Sequence, residues 1–233
     1  MSAPARRFWT KAEAVATEDG WTVALDGRPI RTPAAAPFRA PTEQLARAVA
    51  AEWDAQPDRP DPARLPLTRA VNTALDRVAP QRAKVAEAVA AYAASDLLCH
   101  RAPHPRELID RQTALWDPPL AWAAERHGAR LILAEGVMPV DQPPEAVAAL
   151  ARAVADLDAF RLTALHELTA LSGSLVLALA VADGALSAED AWDRAVLDET
   201  FQAEQWGDDA EALAARAARR AAFLAARDFL DLL

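Results

Sequence analysis

The sequence predicts an α+β protein, in which a small N-terminal antiparallel β meander with a covering helix precedes a larger all-α domain. Three observations support this fold class. Two Asp-Gly pairs flank strand-like runs near the N-terminus, four prolines interrupt the chain at 57–66, and a charge-free apolar run lies in the second half. At 233 residues the chain is long enough for two domains. We place them at 1–64 and 65–233.

Turn and strand signals predict the N-terminal meander. Asp-Gly pairs at 19–20 and 26–27 lie on either side of a strand-like run at 21–25, and a third short strand follows at 28–32. Asp-Gly between alternating apolar residues is a strong hairpin signal. Thr42 is predicted to cap a helix that covers the sheet, because a small isolated sheet is only marginally stable in water.

A domain boundary is predicted where the covering helix ends. Leu45, Val49 and Trp53 recur at four-residue intervals, which places them on one helical face that ends at Gln56. The prolines of 57–66 cannot continue a helix and stiffen an extended connection. Everything beyond this connector is predicted as helix.

The larger domain is predicted to be built round a buried apolar helix at 160–182. Residues 168–182 of this stretch carry no formal charge, and a helix that is apolar on all sides is either a membrane span or the centre of a bundle. Arg161, Glu167 and Asp183 close the segment too early for a span of about 20 residues. We therefore expect a core helix and no membrane insertion.

Local signals predict the ends of other helices in this domain. Asp117 followed by Pro118 indicates a helix start, and Gly128 indicates a left-handed helix end. Residues 131–133 are interpreted as a short strand or a buried loop. Ser187 is predicted to open a helix that ends near Trp206.

Composition and charge restrict the possible functions. The net charge of −9 argues against nucleic-acid binding, which depends on clustered Lys and Arg. Cys99 is the single cysteine, so neither an internal disulfide nor a thiolate metal cage is possible. The first residues carry neither an apolar signal segment nor an Arg/Ser-rich presequence, and we expect a cytoplasmic protein.

No motif for catalysis, cofactor binding or metal binding is found. The glycines are scattered, so no phosphate-binding loop pattern exists. His166-Glu167 begins like a zinc-protease helix, but position 170 is alanine instead of the required histidine. Cys99 and His100 are neighbours in sequence and point to different sides of a helix. We predict no catalytic residue, no cofactor and no metal.

The charged residues near the C-terminus are interpreted, from the residues alone, as solvated helix faces. Among the seven tryptophans, three lie within apolar stripes and are interpreted as core, and the others are open to a core or an interface role. The charged set comprises Asp198, Glu199, Glu204, Arg216, Arg219, Arg220 and Arg227. The three core tryptophans are Trp53, Trp116 and Trp122.

Six stretches together resemble a known family, in its order and spacing. The chain resembles the ATP synthase assembly chaperones that bind the isolated α subunit, the ATP-twelve family, over nearly its whole length. The six stretches are LDGRPIRTP (25–33), AVAAEWDAQ (48–56), LPLTRAVNTALDR (65–77), YAASDLLCHRA (92–102), LIDRQTALWDPPLAW (108–122) and LDETFQAEQWG (197–207).

The resemblance implies a molecular chaperone rather than an enzyme. Such a protein binds the free α subunit of the catalytic head of the F-type ATP synthase and prevents its aggregation before it pairs with β. The resemblance also implies a small mixed α/β domain and a larger helical one, which is the division that the connector predicts. We expect a monomeric bacterial member of the family.

The resemblance also assigns residues. The family's acidic helix before Trp-Gly is implicated in function, which makes Asp198, Glu199, Gln202 and Trp206 the expected partner-binding residues, although position 198 is aspartate where the family pattern has glutamate. The motif residues expected to be structural are Trp53, Asp54, Trp116 and Asp117. Two alternatives stay open: a small-ligand-binding protein or enzyme that uses a cleft between the domains, and a helical interaction module with another partner.

Overall fold

The computed structural model describes residues 6–136, 140–207 and 209–233. By backbone proximity the chain divides into two compact units. The first contains the residues up to 82 together with 158–164 and 228–233, and the second contains 83–157 and 165–227. This division lies later in the chain than the predicted boundary after residue 64, and two later segments join the first unit.

The first unit contains the expected antiparallel meander, in the order β1–β2–β3. Strands β1 (Ala12–Thr17) and β2 (Gly20–Leu25) pair along their whole length, and β3 (Arg28–Pro29) extends the sheet. The predicted strand at 28–32 is too long, because Thr32 instead donates its N–H to Ala36 and turns the chain. The meander and the α+β class are confirmed.

Helix α1 (Glu43–Asp54) packs on this sheet. The hydroxyl of Thr42 accepts the N–H of Leu45 at 3.1 Å, which confirms the predicted cap. The apolar face of α1 joins strand residues and two later segments in one buried core. Its largest buried members are Trp9, Val23, Leu25, Phe38, Leu45, Val49, Val71 and Phe229.

Helix α2 (Pro66–Thr73) follows a short 3₁₀ turn at Pro62–Arg64 and continues into a π turn at Ala74–Val78. Its start is held by a side chain of α1. The carboxylate of Glu52 accepts the backbone N–H groups of Leu67, at 2.6 Å, and Thr68, at 2.9 Å. Because these bonds fasten α2 to α1, residues 65–82 pack with the first unit.

The second unit is mostly helical. Its helices are α3 (Arg82–Ala90), α4 (Arg106–His127), α5 (Pro144–Ala155), α6 (Ala159–Ser172), α7 (Leu175–Ala182), α8 (Ala188–Ala195), α9 (Leu197–Trp206) and α10 (Ala210–Asp231), of which α3, α6 and α10 also contribute residues to the first unit. A parallel pair of two-residue strands, β4 (His100–Arg101) and β5 (Ala134–Glu135), accompanies them. No described helix is long and apolar enough to cross a membrane.

The segment 131–133 is neither a strand nor a buried loop. Ile132 and Leu133 are 46% and 48% exposed, and the strand begins only at Ala134. The side chain of Gln142 holds the loop by bonding both the N–H and the carbonyl of Ile132, each at 2.8 Å. Because this side chain satisfies the backbone, the loop needs no strand partner at that point.

The apolar segment 160–182 is not one helix. It divides at Gly173, whose φ of 70° ends α6, and Ser174 then caps α7 by accepting the N–H of Leu177. Positive φ is a conformation that glycine adopts at little cost. The predicted core position is correct, because every residue from Leu175 to Val181 is buried.

Asp96 occupies the N-terminal end of α7. This fully buried carboxylate accepts the N–H of Val176 at 3.0 Å and the N–H of Leu98 at 3.1 Å. The N–H of Leu97 also donates to the carbonyl of Gly173. The helix break is therefore the point at which the segment around Asp96 is bound.

Asp117 does not cap a helix. Helix α4 continues through Pro118 and Pro119, and Asp117 instead pairs with Arg101 at 2.8 Å. Proline inside a helix removes one backbone hydrogen bond, but buried neighbours on both sides, Trp116 and Ala123, hold the helix in place.

Other helix ends agree with the sequence in part. Gly128 has the predicted left-handed conformation, with φ of 73°, and the hydroxyl of Ser187 accepts the N–H of Asp190 at 3.0 Å. The single helix predicted from Ser187 to Trp206 is wrong, because the chain bends at Val196 between α8 and α9. The bend allows Val196 and Leu197 both to be buried.

Candidate docking helix

Helix α9 carries all four expected partner-binding residues. Gln202 lies one turn after both Asp198 and Glu199, so that these three side chains share a face of the helix. Trp206 is the last residue of α9 and follows Gln202 by one further turn. The structure therefore brings the four residues together on one element.

Asp198 is half-buried and faces helix α4. Its carboxylate accepts a hydrogen bond from the side-chain amide of Gln112 at 2.9 Å. Gln112 is itself buried, and its amide oxygen accepts the N–H of Ala102 at 2.9 Å. Asp198 thus ties α9 to α4 and to the loop before it.

Glu199 connects α9 to α10. Its carboxylate accepts a hydrogen bond from Arg219 at 2.5 Å and lies 3.8 Å from Arg216. The guanidinium of Arg219 also lies over the ring of Trp192, 5.7 Å from the ring centre. These two arginines, interpreted from the sequence as part of a solvated face, are thus ion-paired with α9, and Arg227 donates to the carbonyl of Val181.

A third ion pair fixes the C-terminal half of α9. Glu204 accepts a hydrogen bond from Arg111 at 2.6 Å, and Arg111 also pairs with Glu107 at 2.7 Å. The guanidinium of Arg111 lies 5.2 Å from the ring centre of Phe201. The acidic side chains of α9 therefore hold the helix against its neighbours from three positions.

Of the four expected residues, Gln202 and Trp206 are left for an outside contact. The indole of Trp206 is 82% exposed, and the side chain of Gln202 makes no hydrogen bond to a described residue. Leu213, at the start of α10, is 48% exposed. An exposed tryptophan on a helix that is fixed by ion pairs is suited to insertion into a partner surface.

The first pair of expected structural residues anchors the end of α1. The indole N–H of Trp53 donates to the hydroxyl of Thr68 at 3.1 Å, and its ring packs edge-on against Trp9. Asp54 accepts the N–H of Ala12 at 2.7 Å, which fixes the start of β1. Both side chains thus act inside the first unit.

The second pair lies on α4. Trp116 is fully buried and donates its indole N–H to the carbonyl of Arg194 at 2.9 Å. Arg101 lies 5.4 Å from the centre of the Trp116 ring and pairs with Asp117. One arginine therefore links both residues to strand β4.

The reactive residue types lie in unreactive surroundings. Burial raises the pKa of the Cys99 thiol to about 12, so that it stays protonated at neutral pH. His166 and Glu167 are both exposed on α6. Within the described residues, no group of three or more His, Cys, Asp or Glu side chains could hold a metal ion.

The residues that donate hydrogen bonds to the acidic side chains of α9 were not predicted from the sequence. Gln112, Arg111 and Arg219 lie on other helices, and the bond between Gln112 and Asp198 joins residues 86 positions apart. A local pattern contains no signal for such a pair. Gln112 and Arg111 do fall within the motif 108–122, which was the one available hint.

Comparison with known proteins gives a match over nearly the whole chain. The family described as ATP12 chaperone protein matches residues 6–124. The solved structure of Atp12 from Paracoccus denitrificans is 46% identical, with a TM-score of 0.95, and the match covers 98% of this chain and 98% of that one. An aspartate-to-lysine mutant of the same protein gives the same identity and TM-score, over 98% of this chain and 97% of that one.

A third solved structure, the chaperone candidate Atu1473 from Agrobacterium tumefaciens, is also 46% identical, with a TM-score of 0.93 over 97% of this chain and 85% of that one. The α+β fold and these matches define the class of the protein, a chaperone with bacterial relatives. Within that class, the chain belongs to the ATP12 chaperone family.

Proposed function

We propose that this chain is an assembly chaperone for the catalytic head of the F-type ATP synthase, which binds the free α subunit and prevents its aggregation before it pairs with β. An unassembled subunit exposes apolar interface surface, which is an aggregation hazard. Reversible cover of such a surface requires a shaped contact face with aromatic anchors and no catalytic group. The similarity to Atp12 over 98% of the chain supports this role.

The partner-binding residues in this proposal are those of α9. Trp206, 82% exposed, is the observation that carries it. Gln202 and Trp206 contact the α subunit, while Asp198 and Glu199 hold the helix against α4 and α10 through Gln112 and Arg219. The chaperone acts as a cytoplasmic monomer and uses no cofactor.

Calorimetric titration of the purified α subunit with the full chain tests both parts of the proposal. Trp206→Ala is expected to weaken binding by about tenfold or more, since buried tryptophans dominate protein interfaces. The matched control is Phe8→Ala, which removes an aromatic ring that is 73% exposed in the first unit. Both variants should keep the melting temperature of the parent chain.

The possible outcomes separate the site from the function. If the parent chain does not bind α, the function is wrong. If the parent chain binds and Trp206→Ala binds equally well, α9 is not the contact helix. Asp198→Asn retains an oxygen that accepts the Gln112 amide, and it should therefore bind α as the parent chain does; a loss of affinity there would show that the charge itself contacts the partner.

A further inference from the structure

A groove in the first unit lies along helix α2, within the stretch 65–77. Its volume is about 420 Å³, which is within the usual range for ligand sites. Pro33, on the loop after β3, forms the facing wall. The lining residues are Pro33, Pro62, Leu65, Thr68, Arg69, Asn72, Thr73, Asp76 and Arg77.

The shape of the groove is fixed from both sides. The carboxylate of Asp76 accepts the N–H of Ala34 at 3.0 Å and thereby holds the facing loop. Glu52 holds the start of α2 through Leu67 and Thr68. The groove is consequently a built feature of the unit.

Two exposed cations lie on this wall of the groove. Arg69 and Arg77 are exposed, and neither guanidinium makes a hydrogen bond or ion pair with a described residue. Asp76 is engaged by Ala34, and the oxygens of Glu52, which interacts electrostatically with Arg69, accept three hydrogen bonds. The lining thus carries two guanidinium groups against one carboxylate, so that positive groups outnumber negative ones within it.

The π turn brings both arginines to the same wall. Eight residues of regular α-helix turn the chain about 80° beyond two whole turns, which would carry Arg77 away from Arg69. The π turn at Ala74–Val78 has more residues per turn and so reduces that rotation. Both side chains consequently line the groove.

Between the two arginines lies an acceptor without a donor. The side-chain oxygen of Asn72 is buried and receives no hydrogen bond in the described structure. A buried acceptor of this kind costs free energy unless a donor reaches it. A ligand that brings an N–H group as well as negative charge would satisfy this oxygen.

We propose that this groove binds an extended peptide segment that carries two carboxylates four residues apart. The rise between Arg69 and Arg77 is about 12 Å along the helix. Four residues of extended peptide span about 13 Å, and side chains four apart point to the same side. The peptide backbone supplies the N–H for Asn72, and its apolar side chains pack on Pro33, Pro62 and Leu65.

This site is separate from α9 and does not depend on the identity of the partner bound there. The experiment uses an acetylated, amidated nonapeptide with glutamates at its third and seventh positions and valine or threonine elsewhere. Fluorescence anisotropy of the labelled peptide is measured against the full chain. The same peptide with both glutamates replaced by glutamine is the comparison ligand.

Arg69→Gln and Arg77→Gln are each expected to weaken binding of the glutamate peptide about tenfold, and the glutamine peptide should bind at least tenfold more weakly. Asn72→Ala should weaken peptide binding without lowering the melting temperature, because its oxygen accepts no bond in the free protein. Arg28→Gln is the matched control, since Arg28 is also exposed and has no described partner in the first unit.

Two results would overturn the proposal. One is equal affinity of the parent chain and the two arginine variants for the glutamate peptide. The other is competition by free glutarate at the concentration of the peptide, which would assign the groove to a small dicarboxylate. Trp206→Ala should leave peptide binding unchanged, so the outcome here is independent of the α9 experiment.

Discussion

Asp96 and Glu199 show that the second unit uses acidic side chains in two different ways. Asp96 is fully buried, and its oxygens accept backbone N–H groups of Leu98 and Val176. Glu199 is exposed, and its oxygens accept a side chain of a neighbouring helix. An acid that accepts backbone N–H groups fixes the path of the backbone. An acid that pairs with a side chain adds only a small amount to the stability of helix packing.

The strongest test of this comparison is removal of the buried acid. Asp96→Ala leaves two buried N–H groups without an acceptor, and we expect a loss of about 3 kcal/mol in the free energy of unfolding. Urea denaturation measures it. Asp193→Ala, at an exposed position of α8, is the control and should change stability by less than about 0.5 kcal/mol. A loss below about 1 kcal/mol for Asp96→Ala would contradict the assigned role.

Asp26 shows the effect of backbone hydrogen bonds on an acid that is not buried. It is exposed, and yet its carboxylate accepts the N–H groups of Thr10 and Lys11. These bonds, foremost that from Lys11, lower the pKa of Asp26 below its ordinary value of 3.8. A lowered folded-state pKa stabilises the fold above the unfolded-state pKa, and this contribution is lost as the pH falls through the folded-state pKa. The stability advantage of the parent chain over Asp26→Asn should therefore shrink on acidification.

Denaturation curves of the parent chain and Asp26→Asn, recorded from neutral pH to below 3.8, measure that advantage. An advantage that stays constant or grows as the pH falls would show that the N–H bonds to Asp26 do not favour its ionised form in the fold. In that case the difference between Asp96 and Glu199 would come from the burial of Asp96, and not from its hydrogen bonds to backbone N–H groups.

The smallest effect is expected for Glu199. Its ion pair with Arg219 joins side chains that are 45% and 40% exposed, and such pairs contribute about 0.5 kcal/mol. Glu199→Gln should therefore change the free energy of unfolding by no more than that, and added salt should reduce the difference. A loss above about 1 kcal/mol would place Glu199 with Asp96 as a residue that the fold requires.

Much of the fold could be predicted from local signals. The meander, the cap at Thr42 and the end at Gly128 depend on residues that lie next to each other in the chain. The break at Gly173 was not predicted, because a segment that is apolar on all sides has no periodicity to mark where one helix ends. The prolines after Asp117 misled for a related reason, since tertiary packing outweighs their local preference.

The helix that carries the candidate site could be predicted from the sequence, but the contacts of its side chains could not. The resemblance placed four residues on one helix, and all four lie on α9. Their partners, among them Gln112 and Arg219, come from distant parts of the chain. The groove residues Arg69 and Arg77 lie in a stretch that the sequence marked as a motif, but their position along one groove is visible only in three dimensions.

The bond from Glu52 to the start of α2 has a consequence for folding. A helix of eight residues is too short to form by itself, because the first turn loses more conformational entropy than its single hydrogen bond offsets. Glu52 offsets part of that cost by supplying acceptors from helix α1. Helix α2 and its groove thus depend on the folded α1, so that a ligand of the groove would bind the folded first unit and stabilise it by mass action.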